Sequence, residues 1–472
     1  MVAWKLSAIE MVAAFQASTL TPVQVLEACL DRIETVNPTL NAFVAMRIDG
    51  ARADAQASTE RYARAAALSP LDGVPIAIKD NLITSDLPTT WGSVAGRGYL
   101  AAQDELAVAR AREAGLVVVG KTNVPEFTLE GYTHNALFGT TRNPWNPEKT
   151  PGGSSGGSVA AVAAGMVPLA LGTDGGGSTR RPAGYTGLVG LKPSIGAIAR
   201  VHGLPSLLLD FEVVGLIARN MVDLRQLFQA LVGPNVADPA SFSVLGATRK
   251  LPKQLRISYI PTMGESPVDP AIAAACAIGA QRLETMGHSV AVGPLPLELE
   301  TLTASWAQVG QIGLAWLMAR HPQWRNGAGE RYRDMAILGD ALAATTLWDI
   351  LNTVSQLRRD VAHLFDTVDV IVMPTSAAMP WPAGDTHPPV IAGQAVGARG
   401  HAVFTGWVNA AGLPGLNVPV DFDGGMPIGL QLIGPFGSDV ALMELGEAFE
   451  SNGDTQWGWP PLLSHAPVDG HL

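Results

Sequence analysis

Residues 151–178, PGGSSGGSVAAVAAGMVPLALGTDGGGS, constrain the fold of this chain more than any other segment. Two loops rich in glycine and serine bracket one apolar unit. Its first part, an Ala/Val run, reads as a helix, and its second, LALGTD, as a short buried strand. The apolar stretch 159–171 is broken by Gly165 and Pro168 and is too short to cross a bilayer. A helix and strand joined this tightly, with loops that carry hydroxyls at both ends, belong inside a layered α/β body.

The flanking sequence repeats the alternation. Thr21-Pro22 pairs an N-cap residue with proline at the first turn, and Leu26, Leu30 and Ile33 follow at helical spacing until Asn37-Pro38 closes the segment. An Ala-rich helix is expected over 51–67. Residues 74–78, VPIAI, read as a buried strand that ends at Lys79-Asp80-Asn81. A helix over 104–114 stops at Gly115, and a second buried strand at 116–119 leads into Gly120-Lys121-Thr122-Asn123. Further strands are expected at 255–260, 368–373, 415–420 and 429–434, with a helix at 270–286. Residues 302–366 are mostly helical and carry Trp306, Trp316, Trp324 and Trp348. Internal repeats, low-complexity linkers and charge runs are missing, so no domain boundary shows.

Composition narrows the class. The 472 residues are 47% hydrophobic and only 15% charged, which describes a compact chain with a large core. Lys+Arg number 31 against 42 Asp+Glu, a net charge of −11, so nucleic acid is a poor partner. Mean hydropathy is +0.20, yet no segment reads as a membrane span. Lys5 and Glu10 interrupt the N-terminus, so it does not read as a signal peptide. Cys29 and Cys276 cannot build a disulfide framework; both read as buried thiols in a reducing cytoplasm.

The nine histidines form no HExxH and no paired Cys/His spacing, so no metal site is expected. The glycine loops match neither a Walker loop nor GxGxxG. Residues 153–157 satisfy GxSxG around Ser155, with His363, His401 and Asp369 available as partners, but that pattern is loose. The loop Thr173-Asp174-Gly175-Gly176-Gly177-Ser178 offers more. Its glycine N–H groups can converge on one point, directly before a serine able to attack. A plain glycine turn explains the same residues equally well. A serine needs a base. Lys79 ends an apolar strand, where desolvation lowers its pKa, and Lys121 qualifies on the same grounds. Local reasoning leaves both open.

The chain resembles the amidase signature family of serine hydrolases. The resemblance rests on DGVPIAIKDN (72–81), GKTNVPEF (120–127), PGGSSGGSVAAVAAG (151–165) and LGTDGGGSTRRPA…GLVGLKPS (171–194). It continues in VDVIVMPT (368–375), NAAGLPGLNVP (409–419) and PIGLQLIG (427–434). It implies one domain over residues 1–472, a three-layer α/β/α sandwich around a large mixed twisted sheet, with the helices of 302–366 covering the substrate pocket. It further implies Lys79 as the base, Ser154 as the bridging serine after a cis Gly153–Ser154 peptide, and Ser178 as the nucleophile. Gly175, Gly176, Gly177 and Ser178 would form the oxyanion hole, with Ser155, Asp174 and Arg180 supporting the loops. No cofactor and no metal is called for.

The implied reaction is hydrolysis of a C–N amide bond through an acyl-enzyme. One branch of the family releases ammonia from glutamine within an amidotransferase complex, and places an acidic residue shortly before the NxAG stretch. Here residues 401–407, HAVFTGW, contain no carboxylate. With Gly175 and the apolar run Ser206-Leu207-Leu208-Leu209, that segment favours a hydrophobic or aryl-bearing amide, a carbamate or an ester. The tryptophans of 302–366 fit either the pocket or the core. A small molecule is the expected partner, and the chain is expected to be a monomer or homodimer. The remaining alternative is an inactive amidase-like scaffold; the joint presence of Lys79, Ser154 and Ser178 argues against it.

Overall fold

The computed structural model describes residues 2–244, 249–453 and 458–461. Strands β1 (Phe43–Met46), β2 (Pro75–Lys79), β3 (Val117–Thr122), β4 (Leu169–Asp174), β5 (Val189–Lys192) and β6 (Val213–Ala218) form one part of a large sheet. The rest comes from β7 (Arg256–Tyr259), β8 (Ser289–Val292), β9 (Val370–Pro374), β10 (Gly415–Asp423) and β11 (Met426–Ile433). The eleven strands lie in the order β1-β3-β2-β4-β6-β5-β10-β11-β9-β7-β8. Strands β3, β2 and β4 run parallel, as do β9, β7 and β8, while the centre is antiparallel. The sheet is mixed and flanked by helices, as the resemblance implies.

Side-chain alternation splits the core between the faces. Ile76, Ile78, Val118, Leu169 and Leu171 join the helices Ala8–Gln16, Leu106–Glu113, Met221–Leu231, Pro270–Thr285 and Asp439–Ser451. Ala77, Val117, Val119 and Ala170 face the other way, against the helices Pro22–Leu40, Ile48–Ala63 and Gly156–Ala163. Every residue of β2, β3 and β4 is buried, which is why these strands read as continuous apolar runs. Their carboxyl ends, at Lys79, Thr122 and Asp174, share one edge of the sheet, where open α/β sheets place ligands.

Two local expectations need correction. The first helix does not stop at Asn37-Pro38; it continues through Pro38 to Leu40 and ends on Asn41, at φ 50°. Proline falls in the last turns, and the Asn37 carboxamide oxygen accepts the N–H groups of Ala42 and Phe43 beyond the helix end. The helical region begins at Glu300 and is four helices, Glu300–Arg320, Pro322–Gly327, Glu330–Asp340 and Ala344–Leu364. Its tryptophans do not act together. Trp324 is buried edge-on against Trp91 and Phe127, and Trp316 and Trp348 are largely exposed. Trp306 lines a cavity and is stacked on Phe211 at 5.8 Å between centroids.

Candidate active site

Lys79 closes β2 and is fully buried. Its Nζ lies 2.8 Å from Ser154 Oγ, 2.8 Å from Thr173 Oγ1 and 3.2 Å from the Thr173 carbonyl oxygen. Burial pushes its pKa down to about 7; Glu212 and Asp174 oppose this and Arg200 adds to it. A neutral amine has two N–H groups and one lone pair. Both Thr173 oxygens can take the N–H groups, which leaves the lone pair for the Ser154 hydroxyl. Asn81 Nδ2 also donates to Thr173 Oγ1, at 3.0 Å, and so fixes that hydroxyl as an acceptor.

The rival lysine points elsewhere. Lys121 Nζ donates to the Leu82 carbonyl at 2.5 Å and to Thr89 Oγ1 at 2.8 Å, with Asp80 3.7 Å away. It braces the loop after β2 and meets neither serine loop.

The two serine loops lock together. The Gly153–Ser154 peptide bond is cis. Ser155 N–H donates to the Ser178 carbonyl at 3.1 Å, and Ser155 Oγ donates to the Thr173 carbonyl at 3.2 Å. Ser155 is fully buried, so its GxSxG match is coincidental. Of the partners that pattern would need, Asp369 pairs with Arg256, His363 is exposed beside Asp366, and His401 lines the cavity that holds Ser178. Ser178 lines a cavity of 220 Å³ together with Gly175, Gly176, Arg181, Leu208 and Trp306.

Asp174 organises the second loop. Burial raises its pKa, but the Arg180 charge, with hydrogen bonds from Arg180 and Asn409, outweighs this and holds the carboxyl well below the usual range. Arg180 meets it in a fork, Nε at 3.0 Å and Nη2 at 2.9 Å, and both residues are fully buried. Gln431 accepts from Nη1 and Asn409 from Nη2. The same carboxylate accepts the N–H groups of Gly177 at 2.6 Å, Thr179 at 3.1 Å and Arg180 at 3.3 Å.

This changes the expected oxyanion hole. Gly177 does not offer its N–H to the cavity, because Asp174 has taken it. Its own role is conformational, at φ +110°. The amides of Gly175, Gly176 and Ser178 remain. The Gly176 carbonyl is held by Thr405 Oγ1 at 2.8 Å and by Arg181, which fixes that peptide plane. A Cβ at Gly176 would lie 2.9 Å from Trp306 Cζ2. Gly176→Ala keeps the N–H but is expected to displace the indole or the peptide, and by misplacing that donor to lower kcat/KM at least about tenfold. Pairing it with Trp306→Ala should recover part of that loss in the same assay.

Sequence reasoning missed Thr173, Asn81, Arg181, Thr405 and Gln431 as members of this constellation. Asn409 enters it only as the first letter of a motif. A larger cavity of 770 Å³ adjoins the first and shares Trp306, Arg399 and Ala402 with it. Its wall includes Met263, Leu295, Leu297, Leu302 and Val403 and is mainly apolar.

A family model for amidases matches residues 24–443. The chain belongs to the amidase family. Among solved structures, a bacterial aryl acylamidase of the amidase signature family superimposes with a TM-score of 0.88 at 26% identity, covering 99% of this chain and 100% of that one. A 6-aminohexanoate cyclic dimer hydrolase in complex with substrate gives 0.85 at 26% identity, over 98% and 100% of the two chains. A glutamyl-tRNA(Gln) amidotransferase subunit of Roseiflexus castenholzii is 35% identical over 98% of this chain and 97% of its own length. This member of the amidase family is an amidase signature serine hydrolase acting on carbon–nitrogen bonds. No helix among the described residues is long and apolar enough to cross a membrane.

Proposed function

We propose that the chain hydrolyses hydrophobic or aryl-bearing amides through an acyl-enzyme on Ser178. The observation that carries this reading is the buried Lys79, with its pKa near 7 and its Nζ 2.8 Å from Ser154 Oγ. Ser178 Oγ attacks the carbonyl carbon while its proton passes to Ser154, whose own proton moves to Lys79 Nζ. The oxyanion that forms accepts N–H groups from Gly175, Gly176 and Ser178. Collapse breaks the C–N bond, and the relay returns a proton to the leaving amine. Water then attacks the acyl-enzyme by the same route and frees the acid. The residues act alone, with no group beyond the chain and water in the scheme.

Leu208, Trp306 and Met335 form the apolar and aromatic part of a wall that also carries Glu130, Arg181, Arg331, Arg399 and His401, and that part accommodates an aryl or alkyl group. Carbamates and aryl esters present the same carbonyl and fit the same chemistry. A second reading, ammonia release from glutamine, draws on the relatives that are glutamyl-tRNA(Gln) amidotransferase subunits. Against it, the carboxylate in the cavity wall, Glu130, is already paired with Arg331 at 2.9 Å. A panel of an anilide, a primary aryl amide, an aryl carbamate, an aryl ester and glutamine decides between them. Aryl substrates are expected to exceed glutamine at least about tenfold in kcat/KM, the scale of a lost charged contact. Preference for glutamine would favour the second reading, and turnover of none would overturn both.

A further inference from the structure

The cavity that holds Ser178 has more positive charge than its own residues neutralise. Arg181, Arg331 and Arg399 line it, against one carboxylate, Glu130. Arg331 is satisfied by Glu130 at 2.9 Å. Arg181 is 4% exposed and spends Nη1 on the Gly176 carbonyl and Thr405 Oγ1, while its Nε is buried without a hydrogen-bond partner. Arg399 forms no ion pair among the described residues and stands over the Trp306 ring at 4.9 Å. Desolvation, and then the positive charge of Arg181, push the Arg399 guanidinium down, Glu130 opposes them, and solvent reaching this exposed residue screens all three. His401, also in the wall, is held neutral by burial and by both arginines, so it adds no further positive charge.

Two guanidinium groups that line one cavity with a nucleophile, Arg181 buried with its Nε unpaired and Arg399 open to solvent, offer an anion a ready site. We infer that this site selects amides bearing an anionic group, a carboxylate, which Arg399 and Arg181 hold while an apolar arm enters the larger cavity. Arg399 suits that geometry because it lines both cavities. Planar guanidinium donors match a carboxylate in charge and shape. Arg399 and Arg181 are then positioning residues for substrate. The inference rests on the amidase reading of Ser178 and goes beyond it in naming the charge of the substrate.

The test is a matched pair, butyranilide and its para-carboxylate. Wild-type protein is expected to favour the carboxylate by about tenfold or more in kcat/KM, and Arg399→Gln to erase most of that preference through KM. Hydrolysis of both at equal efficiency, or a preference that survives Arg399→Gln, would overturn the inference and leave the amidase reading standing. If neither compound turns over, calorimetric titration of the Ser178→Ala protein decides. Tighter binding of the carboxylate, lost when Arg399→Gln is added, supports the anion site despite failure of the amidase reading; equal or absent binding overturns it.

Discussion

Replacing Ser178 by alanine is expected to lower kcat/KM by about 10⁴-fold or more, the loss typical of removing a serine nucleophile. The fold should survive. Ser178 contributes its carbonyl to the loop lock with Ser155, and alanine keeps that carbonyl. Its side chain is 8% exposed and faces the cavity, so the substitution should change stability by less than about 1 kcal/mol in a urea titration. The contrast between lost activity and retained stability separates a nucleophile from a structural serine. Ser155→Ala provides the opposite control: that hydroxyl is fully buried and holds the Thr173 carbonyl, so its loss should show in stability as well as in rate.

The second large effect concerns Lys79. Below its pKa of about 7 the amine is protonated and has no lone pair to accept the Ser154 proton. Activity is therefore expected to rise with pH through that value, and kcat/KM should show an acid limb near it. Lys79→Ala should lose about 10³-fold in kcat/KM and lose that limb with it. A limb that persists in Lys79→Ala belongs to another group. Stability carries the same signature. The folded-state pKa lies below the ordinary 10.5, so the unfolded chain binds more protons between about 7 and 10.5. Stability therefore rises with pH across that window, and Lys79→Ala should flatten the slope.

The sheet edge that bears the site was legible because burial on both faces forces β2, β3 and β4 into uninterrupted apolar runs. Glycine loops at the strand ends marked where backbone approaches a ligand. The choice between Lys79 and Lys121 was not legible locally, since both end buried strands and both have lowered pKa values, about 7 and about 8. Only the neighbouring strand separates them: β4 brings Thr173 beside Lys79, whereas Lys121 meets Leu82 and Thr89. The loop braces were invisible for a related reason. Arg180 reaches Gln431 and Asn409 from more than 200 residues away, and no periodicity encodes such a pairing. Gly177 was misread because the glycine run looks uniform, while the Asp174 carboxylate selects one N–H out of it.

Covalent capture tests the central claim most directly. The protein would be treated with a fluorophosphonate, digested, and its peptides sequenced by tandem mass spectrometry. A single adduct on Ser178, absent from the Ser178→Ala protein, is the predicted result. An adduct on Ser154 or Ser155 with Ser178 unmodified would contradict the assignment.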